Sequence, residues 1–534
     1  MKSSRIVLLV TLMALLGVGR VMAQEKAATP EQLGTVHFPV SCTAEAQQQF
    51  DRAMALYHSF YWPEVKKAFD AVLAADSGCA MAYWGHAMVL LDNPFLWPLT
   101  GKNLPEGLAM IEKAKAAGAK TQRERDYIAA LELFYKDHDR RDHKMRVAAY
   151  EQAMGALAAR YPDDLEASVL YGLVLSATFD PNDKTYAKQL QAAALLEKLA
   201  KAHPEHPGIP HYLIHSYDYP PIAKHGLEAA KRYAEVAAST PHALHMPSHI
   251  FTRLGYWQES IASNLASADS TKNMRSRLHA WDYAVYAYLQ SGQDADAKRL
   301  VDKAAAVQKI EGETFTAAYA LAAIPVRYAL ERGQWAEAAQ VALTPGAADF
   351  GWQRFPHAEA VHAFGRGLGA ARRGDAGTAH QEIERLGALR QAMLAAKQAY
   401  WADQAVIQTQ VIEAWTAQAE GKNEEALHML RMAADHEDGT EKNVVTPGPL
   451  MPARELLGEM LLEMHQAAAA LKEFEAAMQK EPNRFRSLYG AAQAAELAGE
   501  RDKATTYYTR LTTLAEHAKH ERAELQTARA FLEK

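Results

Sequence analysis

The stretch MPARELLGEMLLEMHQAAAALKEFEAAMQKEP, residues 451–482, decides the fold class. It reads as two amphipathic helices around a short turn at His465. Leu457, Gly458, Ala470, Phe474 and Ala477 put large and small residues on the facing stripes, and Pro482 marks the exit. A hairpin of this kind cannot bury its apolar stripe alone, so it needs a stacked neighbour. Small residues at the close crossings let the helices approach.

Working outward, the turn recurs. GYW (255–257), GQDADA (292–297), GQWAEA (333–338), GDAGTA (374–379), GKNEEA (421–426) and GERDKA (499–504) each open with glycine, and His465 takes the glycine's place in one copy. That puts the last two turns 34 residues apart. Alanine, leucine, glutamate, lysine and glutamine dominate the chain beyond residue 44, and no stretch shows sustained period-2 alternation of β-branched residues. The expectation is an all-α chain: a right-handed solenoid of antiparallel helix hairpins, with no sheet. Residues 1–23 read as a signal peptide, 24–43 as a polar linker, and 44–200 as a looser helical region. Residues 201–435 read as a central array, 436–452 as a Pro-rich insertion loop, and 453–534 as the last units. Trp62-Pro63 replaces the usual glycine turn, and the Pro-rich 89–106 is an ordered non-repeat connection.

The period and turn chemistry are those of tetratricopeptide (TPR) repeats. More narrowly, the chain resembles a group of exported bacterial TPR proteins through four strings. They are CAMAYWG (79–85), HPGxxHYxIH (206–215), HMPSHIxxRxGY (245–256) and VTPGPLxPARELLG (445–458). The resemblance implies that the first helix of each hairpin lines a concave groove holding a protein, peptide or small ligand. Counting back from the turn glycines puts His242, Thr252, Arg253, His279, Asp282 and Tyr286 on that face, together with Glu455 and Glu459. These are histidines and carboxylates, not the Lys/Asn/Arg clamp with which TPR chaperone adaptors hold a C-terminal carboxylate.

Eight of the 22 histidines fall between residues 203 and 255. His211, His215 and Asp218 lie at i, i+4, i+7 and share one side of a helix; His245 and His249 form a second i, i+4 pair. Two such pairs on neighbouring helices can hold a divalent metal (Zn, Cu, Ni or Fe). His211, His215, Asp218, His245 and His249 are the candidate ligands, with His242 or Asp282 as ligand or supporting partner. The competing reading makes these histidines caps, turns and core hydrogen-bonding groups, and His206 before Pro207 suits that role. No HExxH, GxSxG, P-loop or strand-associated GxGxxG occurs. Two functions stay open: a binding scaffold with a His-rich concave face, or a metal-dependent hydrolase or oxidoreductase using the same cluster.

Lys2 and Arg5 precede the apolar run Ile6 to Val18, and residues 21–23 (VMA) form a cleavage-site pattern, so the mature chain is expected to start at Gln24. The expected location is periplasmic or secreted, without stable membrane insertion. A net charge of −6 gives no reason to expect nucleic acid. Cys42 and Cys79 flank a helix hairpin whose antiparallel halves bring its ends together. In an oxidising compartment the pair invites a disulfide, the alternative being two free buried thiols.

Overall fold

A computed structural model describes residues 31–98, 102–310, 312, 314–346, 349–519 and 522–534. The signal-peptide segment lies outside the described residues. Within them the chain is an all-α, TPR-like solenoid of antiparallel helix hairpins, without a β-strand. The predicted hairpin is present as the helices Ala453–Glu463 and Ala467–Lys480. Phe474 fills the crossing because residue 458 has no side chain: a Cβ there would lie 2.8 Å from Phe474 Cζ. The turns share one backbone device. Gly255, Gly292, Gly333, Gly374, Gly421 and Gly499 all have positive φ, and His465 keeps the same left-handed conformation at φ 59°. A side chain is strained there, which is why glycine is the ordinary occupant. Phe60, at φ 49°, makes the turn before Trp62-Pro63.

Two hydrophobic cores run along the array, one through residues 33–251 and one through 257–528. Residues 32–43, expected as a polar linker, instead run extended and packed. Leu33, Val36 and Phe38 are buried, and Phe38 meets Phe50 and Trp84 edge-on at 5.3 and 5.6 Å. Alternating apolar residues give this short segment a buried face that its overall polarity hides. The Cys42–Cys79 disulfide is formed, with Cα atoms 5.3 Å apart, and closes the first hairpin.

The insertion is non-helical only from Gly439, because the helix Asn423–Asp438 runs into it. It lies against the first helices of two central hairpins, Met274–Gln290 and Phe315–Glu331. Tyr283 Oη donates to the carbonyls of Val444 and Thr446 at 3.2 and 3.1 Å. Arg327 Nη1 donates to the Pro449 carbonyl at 2.8 Å, and its Nη2 donates to the Gly448 carbonyl at 2.9 Å and Thr446 Oγ1 at 2.8 Å. A buried guanidinium thus satisfies backbone carbonyls that a loop cannot pair by itself. The C-terminal units also reach back: Trp257 Nε1 donates to the Asn483 carbonyl at 2.7 Å, and Arg484 Nη2 donates to Glu331 at 2.8 Å.

Candidate metal centre

His211 and His215 stand on the helix Gly208–Tyr217. His242 and His245 stand on the short helix Pro241–His245, and His249 on Pro247–Leu254. Pro247 lacks the N–H that would continue the first of these into the second. His279 comes from Met274–Gln290. These helices converge where the two cores meet, and six imidazoles form one continuous cluster. The four histidines expected to meet do not form a quartet. They divide between two triads, His211/His215/His242 and His245/His249/His279, in each of which one ligand atom per residue lies within 4.8 Å of the others. The triads abut: the ring centroids of His215 and His249 are 6.1 Å apart, and those of His242 and His245 are 6.2 Å apart.

The wiring of the rings carries the chemistry. His245 Nδ1 is 2.6 Å from Asn264 Oδ1, and His249 Nδ1 is 2.9 Å from Asp218 Oδ2. Asp218 is an acceptor, and Asn264 offers its amide oxygen while its Nδ2 donates to the Ser260 carbonyl at 2.7 Å. Each Nδ1 is therefore assigned the proton, which leaves each neutral ring's Nε2 as a bare lone pair. The two Nε2 atoms face each other at 3.2 Å. His211 repeats the arrangement: Nδ1–H donates to the His58 carbonyl at 2.6 Å, and Nε2 sits 3.1 Å from His242 Nε2. A protein oxygen on the far nitrogen of each ring is the support that metal-binding histidines ordinarily have. Both ring nitrogens of His215 and Nδ1 of His279 are buried with no protein partner.

The surroundings keep these rings neutral. Phe95 stacks on His215 at 3.8 Å and Tyr233 on His211 at 5.1 Å, while Phe60 packs against His211 at 4.5 Å and Tyr283 against His245 at 4.8 Å. Burial lowers His211, His215, His242, His245 and His279 well below the ordinary histidine value, helped by the neighbouring rings. Burial also lowers His249, against the pull of Asp218. Neutral imidazole is the form that binds a metal.

Asp218 is not a ligand in this arrangement. It caps the C-terminus of its helix. Its Oδ1 accepts from Arg253 Nε at 2.8 Å, and its Oδ2 accepts from both His249 and Lys442 Nζ, the latter at 2.8 Å. Burial alone would raise its carboxyl, but the Lys442 and Arg253 charges outweigh this and hold it well below the usual range. The same Asp218 charge only partly offsets the burial that pushes Lys442 down to about 8.

The other residues expected on a ligand-facing surface are engaged within the chain. Asp282 accepts from Arg327 Nε at 3.0 Å, and Tyr286 Oη meets Arg484 Nη1 at 2.9 Å. Glu455 pairs with Arg484 at 2.8 Å, Glu459 with Arg486 at 2.6 Å, and Thr252 Oγ1 with Ser260 Oγ at 2.9 Å. Arg253 faces Asp218, and His242 and His279 complete the triads. Where the register count expected a ligand groove, these helices present internal ion pairs and the inserted loop. Sequence spacing gave no warning, because Arg327, Arg484 and the loop lie far along the chain.

A third buried group escaped sequence reading altogether. Glu166 accepts from His58 Nε2 and His206 Nε2, each at 2.8 Å. His58 Nδ1 takes the Tyr212 hydroxyl at 2.8 Å, and His206 Nδ1 takes the Gly208 N–H at 3.2 Å. Only the capping role of His206 had a local signal, its place before Pro207.

No family model matches the chain, and no curated protein matches it. Among solved structures, the Cut9–Hcn1 hetero-tetramer of the APC/C is similar at 10% identity and a TM-score of 0.35, over 91% of this chain and 75% of that one. The human IFIT1 dimer with PPP-AAAA is similar at 13% identity and a TM-score of 0.37, over 77% and 87% of the two chains. The TPR domain of P58(IPK) is similar at 12% identity and a TM-score of 0.20, over 92% and 99%. At this level of likeness neither function nor partner transfers.

Proposed function

We propose that this chain is an exported metal-binding solenoid, whose two histidine triads take a late first-row transition metal from the set Zn, Cu, Ni and Fe. One observation carries the reading. His245 and His249 each tether Nδ1–H to an oxygen, so two bare Nε2 lone pairs face each other at 3.2 Å. Lone pairs held this close repel unless a cation lies between them, and burial disfavours a proton on either ring. Export is part of the proposal; the leader pattern and the Cys42–Cys79 disulfide both suit an oxidising compartment. Two of the four strings by which the chain resembles exported TPR proteins, 206–215 and 245–256, supply ligands of this centre.

Stacked hairpins are also an architecture for holding a protein or peptide. The inserted loop and internal ion pairs occupy the inner positions, so that role would fall to other surfaces of the array. No helix among the described residues is long and apolar enough to cross a membrane.

The test is metal content of tag-free protein by mass spectrometry, followed by titration of the chelated protein with each metal. His249→Ala is expected to lower affinity by well over tenfold, because loss of a supporting group alone costs about 10–100-fold. Wild-type protein that takes up none of the four metals would end this reading.

A further inference from the structure

The two triads also bear on how many ions are held and which. We infer that the cluster is a two-copper centre, with one ion in each triad and the reduced, monovalent ion as its preferred state. This inference rests on the metal-binding reading and adds number and identity to it.

The number follows from geometry. Each triad is complete with three imidazoles whose ligand atoms lie within 4.8 Å of one another, and the two triads share no residue. Both contain a buried nitrogen without a protein partner, on His215 in one and on His279 in the other. A single ion in either triad would leave the unpartnered nitrogen of the other unexplained. No side chain separates the triads at the His215–His249 and His242–His245 contacts, so the two ions would be neighbours.

The identity follows from charge. All six ligands are neutral. The charged groups reaching the cluster are Asp218, Lys442 and Arg253, one carboxylate against two cations, and that carboxylate already pairs with both. Phe60, Phe95, Tyr233 and Tyr283 line the site with aromatic surface. Neighbouring divalent ions would repel each other fourfold more strongly than monovalent ones at the same spacing. Zn, Ni and Fe are divalent in their common bound forms, and carboxylates usually help to hold them. Copper is the one metal of the set with a stable monovalent state, and three imidazoles are an acceptable sphere for it. His242 and His279 are only half-buried, which gives each triad an entry side.

The experiment is an anaerobic competition titration of chelated, tag-free, full-length protein with Cu(I) held by bicinchoninate, run beside a Zn(II) titration. The expectation is about two Cu(I) per chain, falling to about one in His215→Gln and in His279→Gln, with Zn(II) filling at most one triad. Helix content by circular dichroism accompanies each variant. A single Cu(I) per chain, lost in both folded variants, would overturn the pair. Zn(II) filling both triads more tightly than Cu(I) would overturn the identity. Either result leaves metal binding itself standing, whereas no uptake of any metal removes both readings. Should a variant fail to fold, oxidation of the copper-loaded wild type decides. A half-field resonance, or a spin count well below the copper count, supports adjacent ions; full-intensity spectra of isolated Cu(II) refute them.

Discussion

His58, Glu166 and His206 form a closed group beside the open six-histidine cluster, and the two are joined where the His58 carbonyl accepts from His211. Their residue types are nearly the same. In the closed group the carboxylate takes a proton-bearing nitrogen from each ring, and each second nitrogen takes an outside donor. In the open cluster a protein oxygen holds Nδ1 of His211, His245 and His249, their Nε2 atoms face another ring, and His215 has no partner on either nitrogen. Histidine content therefore does not separate a structural network from a metal site. The direction in which each Nδ1 or Nε2 proton points does.

Breaking the closed group should have the largest effect on folding. Glu166→Ala leaves two buried N–H groups without their acceptor, and losing one partner of a buried pair costs roughly 3–5 kcal/mol. Urea denaturation of the metal-free protein measures it. The same group sets an acid limit. Burial lowers His58, so the unfolded chain takes up its proton first as pH falls below about 6.5. Burial would raise Glu166, but its two histidine partners outweigh that and hold it well below the usual carboxylate range. Its contribution is therefore present above about pH 4.5 and lost as pH falls through its folded value. Wild-type stability should decline in two stages on acidification, and Glu166→Ala should flatten the lower one. A pH-independent unfolding free energy between 7 and 4 would contradict this.

The open cluster should gain from metal what the closed group already has. At a free metal concentration a hundredfold above Kd, binding stabilises by about 2.7 kcal/mol. Thermal unfolding with and without metal should show that gain in wild type and lose it in His249→Ala. If the gain persists in His249→Ala and vanishes in His206→Gln, the assignment of the two groups is reversed.

Asp218 tests the link between wiring and affinity. Its Oδ2 fixes the proton of His249 on Nδ1 and so keeps Nε2 bare. Asp218→Asn weakens that acceptor without touching a ligand atom, and metal affinity should fall about 10–100-fold. An unchanged affinity in a folded variant would show that the anchor does not matter.

The fold was legible where the physics is local. The glycine turns follow from the left-handed backbone they require, and His465 was assigned to the same position because its spacing demanded it. The Cys42–Cys79 pairing was one of two open alternatives, and the hairpin between them brings the ends within bonding reach. The histidine window was visible as an enrichment, and the register count placed His242 and His279 on the inner face; His242 stood among the possible ligands, whereas nothing local joined His279 to a triad. What stayed hidden depends on contacts remote in sequence. Glu166 is 108 residues from His58, and Lys442 is 224 residues from Asp218. Where the inserted loop packs stayed hidden as well, because nothing local shows that Arg327 and Tyr283 bind its carbonyls. Asp218 fitted the ligand pattern by spacing, yet Arg253 and Lys442 reach it first.

The smallest expected change is also the sharpest contrast with Glu166. His215 is buried, stacks on Phe95 at 3.8 Å, and has no hydrogen-bond partner on either nitrogen. Truncation to alanine removes that stack and leaves a cavity, a loss of about 2–5 kcal/mol for a large buried side chain. It also removes two unpaired polar atoms, whose burial costs about 1–3 kcal/mol each. The two contributions nearly cancel, so metal-free His215→Ala should unfold within about 1 kcal/mol of wild type. Its metal affinity should still fall by well over tenfold, since an ion loses a ligand where even a lost supporting group costs about 10–100-fold. A structural histidine behaves the other way round: it destabilises the metal-free protein and leaves metal uptake alone. Urea titration of the metal-free variant, set beside its metal titration, distinguishes the two with one substitution.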